Sequence, residues 1–169
     1  MGMDNANNTT SNDAVTSTSN ADRPASEGGR FLKASAAREY ILAGDAEFSI
    51  VSRKTGVRFT FRAERPENGA VHFVKLRTGA GERDYTFMGT IFSDGNFNHS
   101  RKSRVGYSAP SSVGFRFVWE ALRAGVWPRG AEVWHSGRCG RCHRTLTTPE
   151  SVARGIGPEC AKIMDAKAA

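Results

Sequence analysis

All three cysteines of this 169-residue chain lie in one C-terminal stretch. It reads Trp-His-Ser-Gly-Arg-Cys-Gly-Arg-Cys-His from Trp134 to His143, and Gly-Ile-Gly-Pro-Glu-Cys from Gly155 to Cys160. Two residues separate Cys139 from Cys142, so one tight turn can aim both sulfurs at a common centre. A tetrahedral Zn²⁺ ion accepts that arrangement, with Zn–S distances of about 2.3 Å. Cys160 has its own local logic. Pro158 suits a first helical position, and the first turn that follows offers N–H groups and a positive dipole end that favour a thiolate. Between the two halves, Arg144 to Thr147 reads as a short extended return. Thr148 then caps a brief helix begun by Pro149 and ended by Gly155. A knuckle, an excursion and a helix donating the last sulfur make a treble-clef-like zinc finger.

The expected ligand set is Cys₃His. His135 lies four residues before Cys139 and can approach from a preceding strand. His143 directly follows Cys142 and would have to turn onto the same ion inside a tight turn. That position favours φ > 0 and hence glycine. Water or a more distant residue is the remaining choice for the fourth position. Cys-Gly-Arg-Cys-His is formally a haem-attachment pattern, but attachment needs export and no export signal is visible. A redox pair would want a βαβ context. A disulfide plus a spare thiol fits neither an odd cysteine count nor a reducing cytoplasm. Three thiolates and a neutral imidazole carry net −1, which Arg138, Arg141 and Arg144 would offset.

The run His-x₃-Cys-Gly-Arg-Cys-x-Arg-x-Leu-Thr-x-Pro-x-Ser-x₃-Gly-Ile-Gly-Pro-x-Cys resembles a small zinc-ribbon-like domain of unknown function. That domain recurs in bacterial, phage and plasmid proteins, often at the C-terminal end of a longer chain. The likeness covers His135 to about Met164, and Ala46 to Val133 is similar to the upstream part of some relatives. It implies cytoplasmic zinc binding and a mobile-element origin. His143 stands where the resemblance leads one to expect glycine.

Upstream, Met1 to Gly29 is mostly Asn, Thr, Ser, Asp and Ala, too poor in large apolar residues to offset ordering entropy. A short helix is expected from about Ala36 to Ala43, capped by Ser35 and stopped by Gly44. From Glu47 the period becomes two. Phe48 and Ile50, then Val57, Phe59 and Phe61, alternate with polar neighbours across a turn at Arg53-Lys54-Thr55-Gly56. Further strands at Val71–Arg77 and Asp84–Phe92, a turn at Ser93–Asn96 and a short strand at Phe97 continue an antiparallel meander. Ser111 to Ala124 reads as a helix with Val113, Phe117, Val118, Ala121 and Leu122 on its apolar face, extended by Phe115 and Trp119. Ala131 to Trp134 is the strand that enters the finger and sets Trp134 beside the metal. The expected class is therefore α+β: an antiparallel β-meander on one or two helices with a C-terminal finger. The divisions are a disordered tail (1–30), an α+β domain (31–130) and the zinc finger (131–169).

Charge suggests a partner. The formal net charge is +7. Residues 1–30 hold two arginines against four acidic residues, leaving a surplus of nine positive charges on the rest. A body that basic attracts polyanions, although an arginine-rich solvated surface is the plainer alternative. Arg58 and Arg62 fall on one face of a hairpin. Arg101, Lys102 and Arg104 form a basic loop where Tyr107 could stack on a base. With Arg138, Arg141 and Arg144 they make the expected nucleic-acid-binding set, for DNA or RNA. The alternative partner is a host or defence protein. No run is long enough to cross a bilayer. No nucleophile, acid–base pair or open metal position is visible, so a non-enzymatic role is expected.

Overall fold

A computed structural model describes Ser26, Glu27 and residues 29–169. Most of the tail expected at 1–30 therefore lies outside the described residues. What is described of it forms two short strands, β1 (Ser26–Glu27) and β2 (Arg30–Phe31). Then come α1 (Ala34–Ile41), β3 (Asp45–Ser52), β4 (Arg58–Glu64), β5 (His72–Arg77), β6 (Tyr85–Ile91) and β7 (Phe97–His99). The chain ends with α2 (Pro110–Arg123), β8 (Ala131–His135), α3 (Pro149–Arg154) and α4 (Pro158–Ala168). All strands join one antiparallel sheet in the order β1-β2-β8-β3-β4-β5-β6-β7. The meander from β3 to β7 is as the alternation predicts. β8 pairs along its whole length with the second part of β3, from Phe48–His135 to Ser52–Ala131. The cysteine-bearing segment therefore grows out of the sheet interior.

Register assigns the two faces. Ala46, Phe48 and Ile50 of β3 oppose Ala63, Phe61 and Phe59 of β4, and Phe61 opposes Leu76 of β5. This face receives the helices, with Phe115 of α2 lying 5.2 Å from Phe61 and 4.8 Å from Phe97 between ring centroids. Burying each such ring contributes about 1.5–3 kcal/mol. Trp119 is fixed by its Nε1–H donating to the Gly95 carbonyl at 2.9 Å.

α2 lies rotated from the expected orientation. Its buried residues are Ser111, Ser112, Phe115, Val118, Trp119 and Leu122. Val113 and Phe117 are 48% and 55% exposed instead. Phe115, Trp119 and Leu122 fall at i, i+4 and i+7, and the small Ser111 and Ser112 complete that stripe, letting the helix start lie close. α1 begins two residues before the expected start, with Lys33 as N-cap and no side-chain cap bond. Its buried Ala34, Ala36, Ala37, Tyr40 and Ile41 fix its position by packing.

His72 on β5 is buried, and its ring Nε2 donates to the Leu42 carbonyl at 3.0 Å. Burial holds its pKa below the ordinary value and Arg65 acts the same way, against the Leu42 bond. The folded state thus binds that proton less readily than the unfolded chain. Stability contributed by neutral His72 is present above about pH 6.5 and is lost as pH falls below it. Urea unfolding of His72→Gln should lose part of the wild-type decline in stability between pH 7 and pH 5.

Candidate metal centre

β8 delivers the chain to the knuckle with alternating side chains. Trp134 points to the helix-free face, where its Nε1–H donates to Glu132 at 3.0 Å. This corrects the expectation that Trp134 flanks the metal. His135 points the other way, between the rings of Phe31 (5.3 Å) and Tyr40 (5.6 Å). After Ser136 the chain folds on itself. Leu146 N–H donates to Gly137 carbonyl, Cys139 N–H to Arg144 carbonyl, and Arg138 bridges Thr145 in antiparallel fashion. Thr148 caps α3 by accepting from Ser151 N–H, and Gly155 ends it at φ 76°. Gly157 and Pro158 then open α4.

These elements bring the sulfurs of Cys139, Cys142 and Cys160 within 4.8 Å of one another. Sulfurs on one tetrahedral zinc would stand about 3.8 Å apart, so a small inward movement closes such a shell. Burial pushes the Cys139 thiol up, but N–H groups of Gly157, Arg141 and Cys142 aimed at its sulfur outweigh this and leave it below the ordinary value. Burial raises Cys160 to about 11, with Cys142 and Cys139 adding to the rise and the Arg141 guanidinium opposing it. Arg141 Nη1 lies 3.7 Å from Cys160 Sγ, and Gly157 N–H donates to Cys139 Sγ at 3.3 Å. One thiolate raises the cost of the next, and a cation at their centre removes that conflict. Three close cysteines with these donors can hold a metal ion.

Neither histidine is brought into the cluster. His135 Nε2–H donates to the Val152 carbonyl at 2.8 Å, and its Nδ1 accepts from Gly137 N–H at 3.0 Å. Both ring nitrogens are thus committed to backbone, and burial lowers the ring's pKa from its ordinary value, against the Val152 bond. The expectation of His135 as fourth ligand does not match this arrangement. His143 takes φ 62°, the left-handed conformation for which glycine was expected. Its Nδ1 is the one buried side-chain nitrogen or oxygen without a hydrogen-bond partner among the described residues.

The expected nucleic-acid set divides among three places. Arg62 holds Asp45 in a two-pronged ion pair (2.8 and 3.0 Å) and also meets Glu64 at 3.0 Å. Arg58 lies over the Trp134 ring, 5.8 Å from its centroid. Arg138 turns back to the His143 carbonyl and Arg141 to Cys160, while Arg144 is exposed. Arg101, Lys102 and Arg104 are exposed, and Tyr107 is 60% exposed with the Arg116 guanidinium 3.6 Å from its ring centroid. Antiparallel pairing puts the end of β8 beside the start of β3 and β7, whereas the 101–104 loop leaves the opposite end of β7. β7 is also five strand positions from β8, at the far edge of the sheet. The knuckle and the basic loop thus leave from opposite ends of the strands.

The knuckle is stitched to the body by Tyr40, whose single O–H faces the carbonyls of Glu47 (2.8 Å) and Arg138 (3.1 Å). A Cβ at Gly140 would stand 2.7 Å from Tyr40 Cδ2 and 2.8 Å from Tyr40 carbonyl oxygen. Gly140→Ala should therefore cost about 1–3 kcal/mol in denaturant unfolding. Metal analysis separates the cluster from its histidine neighbour. Cys160→Ser should lose stoichiometric metal, while His135→Ala should keep it and unfold at lower denaturant because its two backbone links are gone.

The segment 130–165 matches a family of unknown function, DUF6011. No curated protein and no solved structure matches the chain.

Proposed function

We propose that this chain is a nucleic-acid-binding accessory protein, of the kind carried by phages and plasmids, whose C-terminal finger is held by a structural zinc ion. Three converging thiols favour zinc among the common divalent metals, and a reducing cytoplasm would keep them available. Cys139, Cys142 and Cys160 would hold the ion, with the fourth donor from His135, His143 or solvent. His135 could serve only by releasing its bonds to Val152 and Gly137. The phage or plasmid setting rests on the resemblance of the His135–Met164 run. The role is binding without catalysis.

The observation that carries nucleic acid as partner is the 101–104 loop. Its three cations are exposed, and none has an ion pair among the described residues. Elsewhere Arg62, Arg123 and Arg154 are neutralised by neighbouring carboxylates. Uncompensated cations beside an exposed tyrosine suit phosphate contacts.

A second reading, a protein-interaction module aimed at a host or defence complex, draws on a different surface. An apolar groove of about 410 Å³ lies between the β3–β4 hairpin and α2, lined by Ile50, Val57, Phe59, Pro110 and Phe117 among others. No helix among the described residues is long and apolar enough to cross a membrane.

Anisotropy of labelled DNA and RNA between 50 and 200 mM salt tests the first reading. Affinity should fall steeply with salt, and Arg101→Ala/Lys102→Ala/Arg104→Ala should flatten the log–log slope by about 2–3. Absence of salt-sensitive binding would remove it.

A further inference from the structure

We propose that the helix-free face of the sheet is a platform for single-stranded nucleic acid, with Trp134 stacking one base and the Phe73–Phe87 pair a second. This rests on the nucleic-acid reading above and specifies the form of the ligand. The helices are held on the other face. α1 and α2 pack on the core, α3 accepts from His135 through Val152, and Arg154 ties α3 to Glu39 of α1 and Asp165 of α4. On the open face, side chains of β8, β3, β4, β5 and β6 meet mainly one another.

Two aromatic positions stand apart on it. Trp134 is half-buried, held at its edge by Glu132, with the guanidinium carbons of Arg30 and Arg58 at 6.0 and 5.8 Å from the ring centroid. Phe73 is 36% exposed and meets Phe87 edge-on at 6.0 Å. β8 and β5 are three strand positions apart, about 14 Å, too far for one base to span. Between them lie hydroxyls and charged groups, including the Ser49–Thr60 pair at 2.9 Å.

The charge pattern suits a polyanion. Each carboxylate on this face already has a partner. Asp45 is bound by Arg62, Glu64 by Arg62 and Lys75, Glu132 by Arg30 and Arg53, and Glu47 accepts from the Tyr85 hydroxyl at 2.8 Å. Arg58 and Arg77 have no carboxylate partner among the described residues. Arg58 lies against Trp134, so a base on that ring would bring its phosphate near a guanidinium. Aromatic rings beside cations bind unpaired bases through stacking and backbone charge together, whereas a duplex keeps its base faces covered.

The experiment uses the full-length, metal-loaded chain and labelled 12-nucleotide single strands of RNA and of DNA, beside the duplex of the same sequence. Single strands should bind more tightly than duplex. Trp134→Ala should weaken single-strand binding about tenfold or more, Trp134→Phe should retain most of it, and duplex binding should change little. Phe73→Ala, at an exposed ring, gives the same reading should Trp134→Ala unfold. Duplex bound as tightly as single strands, or single-strand affinity unchanged in both alanine variants, overturns the platform while leaving nucleic-acid binding standing. No salt-sensitive binding of any strand overturns both.

Discussion

Three sulfur atoms within 4.8 Å of one another are the constraint on which the C-terminal segment depends. They come from a tight turn and from the first turn of α4, joined by a short bridge and the six-residue α3. Such short elements have little core of their own, and helices of this length are marginal without tertiary support. Backbone links add to the thiols. Asp45 N–H donates to Gly140 carbonyl at 2.7 Å and Gly140 N–H to Gly155 carbonyl at 3.0 Å. These bonds, with the Tyr40 hydroxyl, make the knuckle continuous with the end of the sheet where β3 begins.

The sheet separates two kinds of chemistry. Its covered face is apolar and rigid, built from Phe48, Phe61, Phe115 and Trp119. Its other face carries a ladder of ion pairs from Asp45 through Arg62 and Glu64 to Lys75, flanked by aromatic rings. Partly exposed pairs of this kind add little stability each, because solvent screens them and ordering long side chains has a cost. Their larger effect is to fix side-chain positions across neighbouring strands. Anything that binds there meets an ordered surface.

Much of this was legible in the sequence, because local physics decides it. Alternation located β3 to β6, turn residues located their connections, and Thr148, Gly155 and Pro158 marked both ends of α3 and the start of α4. Cysteine spacing located the cluster. What escaped was non-local. His135 has suitable spacing for a ligand, yet Val152, seventeen residues on, takes one of its nitrogens. Arg62 looks like any surface arginine until β3 sets Asp45 beside it. The orientation of α2 follows the buried Phe115, Trp119 and Leu122 stripe, which Ser111 and Ser112 complete, so Val113 and Phe117 face outward. β1 and β2, two residues each, carry too short a pattern to register.

Amide hydrogen exchange on the metal-loaded and chelator-stripped protein tests the central claim most directly. Stripping should release the amides of Cys139–Arg144 and the first turn of α4, while those of β3, β4 and β5 stay protected. Equal protection of the knuckle and α4 in both forms would contradict the account.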